Sequence, residues 1–200
     1  RRMNETPITG VILAGGLGPR LSGDDKGLVA IGARPMVSHV IERFAPQVST
    51  LIINANRNLG RYRDFGFPVI PDAIGDYPGP LAGIGAALAH TGSGRIACAP
   101  CDCPFLPTDF VARLVSAMDT AGAEVAYAVN SGRPQPVFAV LDCSLLESLT
   151  TYVNDGGRKI MDWYRALDAV AVDFGDDPGA FANINTNAEL AEAEQRLLDA

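Results

Sequence analysis

Long apolar runs are missing from this 200-residue chain, and none approaches the ~20 residues that a bilayer-spanning helix needs. Basic charge is also short. Sixteen Lys and Arg stand against 23 Asp and Glu, for a net charge of −7, which argues against a broad nucleic-acid surface. A few placed cations could still hold one small anionic molecule. Histidine occurs only twice, as His39 and His90, in helix-like segments with no partner at metal-ligand spacing. Three of the four cysteines, Cys98, Cys101 and Cys103, crowd around Asp102, while Cys143 is far along the chain. A closed zinc site needs four ligands, so these read as small, free thiols closing a tight strand end. The opening Arg1-Arg2-Met3-Asn4-Glu5 lacks the apolar core of a secretory signal, and a cytoplasmic location is expected. There is no internal repeat, linker or low-complexity tract.

What is present is an ordinary globular composition, 48% hydrophobic and 20% charged, at a length that suits one domain. Short apolar runs of strand length occur at residues 10–13, 50–53, 68–70 and 95–98. Helical apolar spacing fills residues 36–45, 81–89 and 108–121. This alternation predicts strands buried on both faces of a largely parallel sheet, hence a doubly wound α/β domain. After residue 122 the rhythm changes. Residues 124–129 and 136–140 read as antiparallel strands around a turn at 130–134. Helices at 143–153 and 158–167 and a strand at 169–174 follow. Thr186-Asn187-Ala188-Glu189 is a capping box opening the last helix.

Directly after the first strand comes "LAGGLGPRLSGDDKGL", residues 13–28, with five glycines. It matches neither common phosphate cradle. A G-x-G-x-x-G reading from Gly16 fails at Leu21, and Gly23-Asp24-Asp25-Lys26 breaks the adjacent Gly-Lys-Ser/Thr of a P-loop. A glycine-rich loop can nonetheless turn several backbone N–H groups toward one anion. Arg20 and Lys26 supply two charges for a triphosphate tail. The plainer reading is a surface loop with ordinary basic residues. A second feature weighs against it. Asp102, between Pro100 and Pro104, closes a predicted central strand, where ligands of open α/β sheets bind. Such a carboxylate suits Mg²⁺, which takes one or two carboxylates plus phosphate oxygens. Asn54 and Asp72 close two further strands, and all three groups are expected on one sheet edge as one site.

Leu13-Ala14-Gly15-Gly16, followed by Arg20 and Asp25-Lys26, resembles the signature loop of nucleotidyltransferases with a Rossmann-like fold. "PQVSTLIINANRN", "GPLAGI", "PCDCPFLP", "RPQPVFAV", "GGRKIMDWY" and "FANINT" resemble, in order, segments of the molybdenum cofactor guanylyltransferase (MobA) family. The resemblance covers residues 8–190. It implies a single three-layer α/β/α domain over residues 1–200 with a mostly parallel, mixed sheet. It also implies GMP transfer from GTP to molybdopterin carrying molybdenum. By position, Leu13, Ala14 and Gly15 would contact the nucleotide through their backbone, and Lys26 would hold phosphate oxygens. Asn54 and Asp72 would touch the guanosine portion, and Asp102 would bind nucleotide and Mg²⁺, with Mn²⁺ as the alternative. Arg20, Lys26 and Asp102 form the expected catalytic set. Arg133, Gln135, Asn183 and Asn185 would lie toward the pterin, in the part of the chain after about residue 122. Asn183 and Asn185 also suit turn residues before the capping box, and 133–136 a hairpin tip. Ser22 stands where the family often has glycine. The expected partners are GTP, molybdopterin and, transiently, molybdoenzymes or their chaperones, with no nucleic acid or membrane and a monomeric state. A cytidylyl-transferring relative, a sugar-phosphate nucleotidyltransferase and a cofactor-delivering adaptor are the alternatives.

Overall fold

In the computed structural model the residues described are 6–15, 25–72, 79–175, 177 and 179–199. The chain begins with strand β1 (Ile8–Leu13), then a 3-10 turn (Lys26–Leu28) and a two-strand ribbon, β2 (Ala30–Ile31) with β3 (Arg34–Pro35). Helix α1 (Met36–Phe44), β4 (Thr50–Asn54), the short α2 (Leu59–Arg63) and β5 (Val69–Ile70) follow. Next come α3 (Pro80–Thr91), β6 (Arg95–Pro100), α4 (Phe110–Ala121), β7 (Val125–Asn130) and β8 (Arg133–Asp142). The chain closes with α5 (Leu146–Asn154), α6 (Ile160–Ala166), β9 (Val170–Asp173) and α7 (Asn187–Leu198).

The main sheet has seven strands in the order β5-β4-β1-β6-β8-β7-β9. Within it β8 is the antiparallel strand, pairing so with both β6 and β7, while β7 and β9 pair in parallel. The sheet is therefore mixed and mostly parallel. Side chains alternate strictly between its faces, because successive residues of a strand point to opposite sides. Val11, Ile52, Ile96 and Cys98 meet Leu81, Ile84, Leu149 and Trp163 of α3, α5 and α6. Ile12, Ile53, Ala97 and Ala99 meet Val40, Phe44, Phe110 and Leu114 of α1 and α4. Three layers result. The cysteines obey the same parity: all four are free and buried, Cys98 and Cys143 in one layer, Cys101 and Cys103 in the other.

The expected hairpin after residue 122 forms, with a tighter turn than the sequence indicated. Only Ser131 and Gly132 lie between the strands, both at positive φ (48° and 69°), as a two-residue loop matching the sheet twist requires. β8 thus starts at Arg133, and Pro134 and Pro136 are inside a strand. They are tolerated because β8 pairs with β6 only through residues 139–142. The register against β7 also shifts, from Tyr127↔Ala139 to Ala128↔Gln135. Residues 133–138 therefore lie beyond the last β6 partner, Cys98, at the carboxyl end of that strand. Sequence periodicity missed the β2–β3 ribbon and α2, which are too short to show a repeat. The predicted helix at 143–153 divides into a 3-10 turn (Cys143–Leu145) and α5.

Helix α7 packs against the small cluster of Ile31, Met36, Phe105 and Ile184. Its capping box is complete: Thr186 accepts from the Glu189 N–H, and the Glu189 carboxylate accepts from the Thr186 N–H at 2.9 Å. Replacing Thr186 with Ala should cost about 1 kcal/mol and lower Tm by roughly 2–4 °C in a thermal melt. An unchanged Tm would show that α7 is held by its packed face alone.

Candidate active site

The three strand ends that the sequence placed together are level in the sheet. Leu13 is in register with Asn54 and with Pro100, and Asn54 with Ile70. Whatever follows these residues emerges at one edge. A cavity of about 360 Å³ opens there, lined by Leu13, Ala14, Gly15, Lys26, Asn54, Asp72 and Asp102 among others. Val137 of β8 and Asn183 line it from the opposite half of the chain.

One wall is a polar lock. Asp72 accepts from Asn54 Nδ2 on Oδ1 (2.9 Å) and from Asn56 Nδ2 on Oδ2 (2.7 Å). Asn56 Oδ1 accepts in turn from the Asp72 backbone N–H at 2.8 Å. Asn54 is 1% exposed, so its amide is committed to this wall. Gly15 lies against the lock: a Cβ there would meet Asn56 Nδ2 at 2.9 Å and Asn54 Oδ1 at 3.1 Å. Gly83, in the first turns of α3, is equally confined, since a Cβ would meet Leu13 Cδ2 at 2.6 Å and Asn54 Oδ1 closer still. Gly15 of "LAGG" and Gly83 of "GPLAGI" are thus close-approach residues around Asn54.

The facing wall carries the charges. Asp102 is 7% exposed, and Lys26 Nζ stands 3.6 Å from its Oδ2. Burial raises the Asp102 pKa above the ordinary carboxylate value, and the Lys26 charge opposes that shift. Lys26 also donates to Asn185 Oδ1. Its neighbour Asp25 accepts from Tyr62 Oη at 2.6 Å and from Asn58 Nδ2 at 3.3 Å. Tyr62 is fully buried, and burial foremost keeps its hydroxyl a neutral donor. The short α2 therefore anchors the end of the glycine-rich loop just before Lys26.

The segment 181–186 is seated on the same spot. The Ile184 N–H donates to the Asp102 carbonyl at 3.0 Å, and the Cys103 thiol donates to Asn183 Oδ1 at 2.9 Å. Asn183 and Asn185 thus stand at the Lys26–Asp102 junction rather than in a separate half of the site. Arg133 and Gln135 are outside the cavity lining and lie on the part of β8 that continues past β6. Arg20 and Ser22 lie outside the described residues. Sequence reasoning missed Asn56 and Tyr62, and it gave Asp25 no role. Asn56 had a signal: it follows Asn54 by two, the spacing that keeps two side chains on one face of an extended chain.

The arrangement offers an ammonium opposite a desolvated carboxylate, backbone at a strand end, and the opening turn of α3. That set suits a polyanion with its counter-cation. Comparisons with known proteins agree. Residues 10–170 match the family model described as the MobA-like NTP transferase domain. A molybdenum cofactor guanylyltransferase of Ralstonia nicotianae is 50% identical over 198 residues, covering 94% of this chain and 97% of the relative. One from Shewanella putrefaciens is 46% identical, covering 96% and 97%. The crystal structure of molybdopterin-guanine dinucleotide biosynthesis protein A from Archaeoglobus fulgidus superposes with a TM-score of 0.78 at 24% identity, covering 96% of this chain and all of that one. That of a CMP:2-keto-3-deoxy-manno-octonic acid synthetase complexed with CTP superposes at 0.74 and 14% identity, covering 98% and 99%. At those identities the two structures speak for the fold alone. With its level strand ends, its Lys26–Asp102 pair and half its residues shared with such relatives, the chain belongs to the MobA-like NTP transferase family.

Proposed function

We propose that this chain transfers GMP from GTP to molybdenum-carrying molybdopterin and releases pyrophosphate. The observation that carries the reading is the Lys26–Asp102 pair, 3.6 Å apart on one wall of a cavity floored by three level strand ends. The relatives' shared name supplies the substrates. The acceptor's terminal phosphate oxygen bonds to the α-phosphorus of GTP as the bond to the β-phosphate oxygen breaks in line. That acceptor is already ionised near neutral pH, so no general base is required. Catalysis is then positioning plus neutralisation of developing charge.

In this reading Leu13, Ala14 and Gly15 present backbone to the nucleotide, and Lys26 draws charge onto the departing pyrophosphate, with Arg20 as its expected companion. Asn183 and Asn185, beside the Lys26–Asp102 pair, would meet the acceptor where the two substrates join. Arg133 and Gln135, on the extension of β8, would contact the pterin further out. The donor set fits a hard divalent cation, Mg²⁺ or Mn²⁺. The Asp102 carboxylate is desolvated and faces the Lys26 ammonium, while the Cys103 thiol, which donates to Asn183, lies 3.7 Å from it. When bound, the cation would neutralise phosphate charge next to Asp102.

The Asp72 wall supports the choice of base. Guanine offers N1–H and an exocyclic amine as adjacent donors, whereas cytosine and adenine place an acceptor ring nitrogen there. An unpaired buried hydrogen-bonding group costs about 1–3 kcal/mol, so two give ~30-fold discrimination or more. With saturating acceptor and Mg²⁺, GTP should exceed CTP and ATP at least ~30-fold in kcat/KM for nucleotide transfer. Equal use of GTP and CTP would overturn guanylyl transfer and leave a nucleotidyltransferase.

A further inference from the structure

We infer that Asn56 is a specificity-determining positioning residue, whose amide aims the Asp72 carboxylate at the base of the bound nucleotide. The inference rests on the reading of the cavity as a purine nucleotide site. A carboxylate has about four lone-pair positions, two on each oxygen. Asn54 takes one on Oδ1 and Asn56 takes one on Oδ2. Among the described residues one acceptor position per oxygen is left, and two such positions on one carboxylate can meet two adjacent N–H donors on a ring edge. Guanine has that pair, hypoxanthine has only N1–H, and adenine presents an acceptor in its place.

Asn54 and Asn56 differ in what they hold. Asn54 is buried and also donates to the Ile70 carbonyl at 3.3 Å, so it belongs to the end of the β4–β5 ladder. Asn56 grips Asp72 at two points, the carboxylate at 2.7 Å and the backbone N–H at 2.8 Å. A short side chain held this way at both its polar atoms fixes the Asp72 backbone and the carboxylate together. Asn56 Nδ2 also reaches the Gly15 carbonyl at 3.5 Å, which ties the base wall to the backbone expected to run along the nucleotide. Without Asn56, Asp72 keeps one donor among the described residues, Asn54, and can turn about its side-chain bonds. Its charge remains, but the paired acceptor geometry is lost.

The test compares the intact chain with Asn56→Ala and with Asn56→Asp, which keeps the size and the acceptor for the Asp72 N–H but sets a like charge against Oδ2. Binding of GTP, ITP and ATP is measured by calorimetry with Mg²⁺, alongside Tm. The wild type should prefer GTP to ITP and to ATP, and both variants should lose at least ~10-fold of that preference at a Tm within a few degrees of wild type. Affinity for ATP should stay within ~3-fold, because the phosphate contacts are untouched. Preference retained in either folded variant, or affinity lost equally for all three nucleotides, overturns the role of Asn56. A wild type without base preference overturns it too. Because binding is read directly, absence of GMP transfer to molybdopterin would defeat the proposed reaction without deciding this question.

Discussion

Asp102→Asn should lower turnover ~100-fold or more and leave Tm unchanged or higher, since removing one preorganised electrostatic element costs roughly two to three powers of ten. The two halves of this result come from one cause. Asp102 is taken out of water beside the Lys26 ammonium, and burial holds its pKa above the ordinary value. A carboxyl whose folded pKa is raised stabilises the fold at pH below its unfolded pKa and loses that contribution as pH rises through the folded value. At pH above that raised value the wild type therefore carries an ionised group that the fold disfavours. Asparagine keeps the shape and removes that burden along with the charge. In buffer free of divalent cations, wild-type stability should decline as pH rises from about 4 through the raised pKa, and the variant should lack that decline. Near-wild-type turnover in folded Asp102→Asn would remove this residue from the mechanism, and a clearly lower Tm would refute the cost of its burial.

Lys26→Met should be as damaging to turnover, about 100- to 1,000-fold, but opposite in its effect on stability. Methionine preserves most of the stem and deletes the ammonium that faces Asp102 and donates to Asn185. The buried carboxylate loses its main counter-charge, so its pKa rises further and Tm falls. Nucleotide affinity should weaken as well, because the phosphates lose a cation. Thermal melts of the two variants side by side give the check. If Lys26→Met melts above Asp102→Asn, the pair does not compensate as the geometry requires. If it retains turnover, the loop is not a phosphate site.

Much of this molecule was legible before any coordinates. The buried strands of β1, β4 and β6 are short apolar runs, and α1, α3 and α4 show helical spacing, because both periods are local properties of a chain. Aligning these strands in a parallel sheet puts their carboxyl ends at one edge, which is why Asn54, Asp72 and Asp102 could be grouped from the sequence. The capping box of α7 was readable for the same reason: its partners are three residues apart. Elements with no room for a period escaped, namely α2 and the β2–β3 ribbon, and with them Tyr62, the donor that fixes Asp25.

Contacts between distant parts of the chain lay beyond any pattern. Lys26 and Asn185 are 159 residues apart, Cys103 and Asn183 are 80 apart, and nothing periodic links them. Segment 181–186 could be recognised as a matching stretch, but its seat on the Asp102 carbonyl depends on where α7 packs against Ile31 and Phe105. The sequence therefore settled which elements form, which faces they bury and which edge carries the site, since these follow from residue spacing. Folding alone settled which amide orients which carboxylate, and that Asn183 and Asn185 meet the Lys26–Asp102 pair. A hydrogen bond depends on tenths of an ångström between side chains delivered by separate elements, and only the packed core sets those distances.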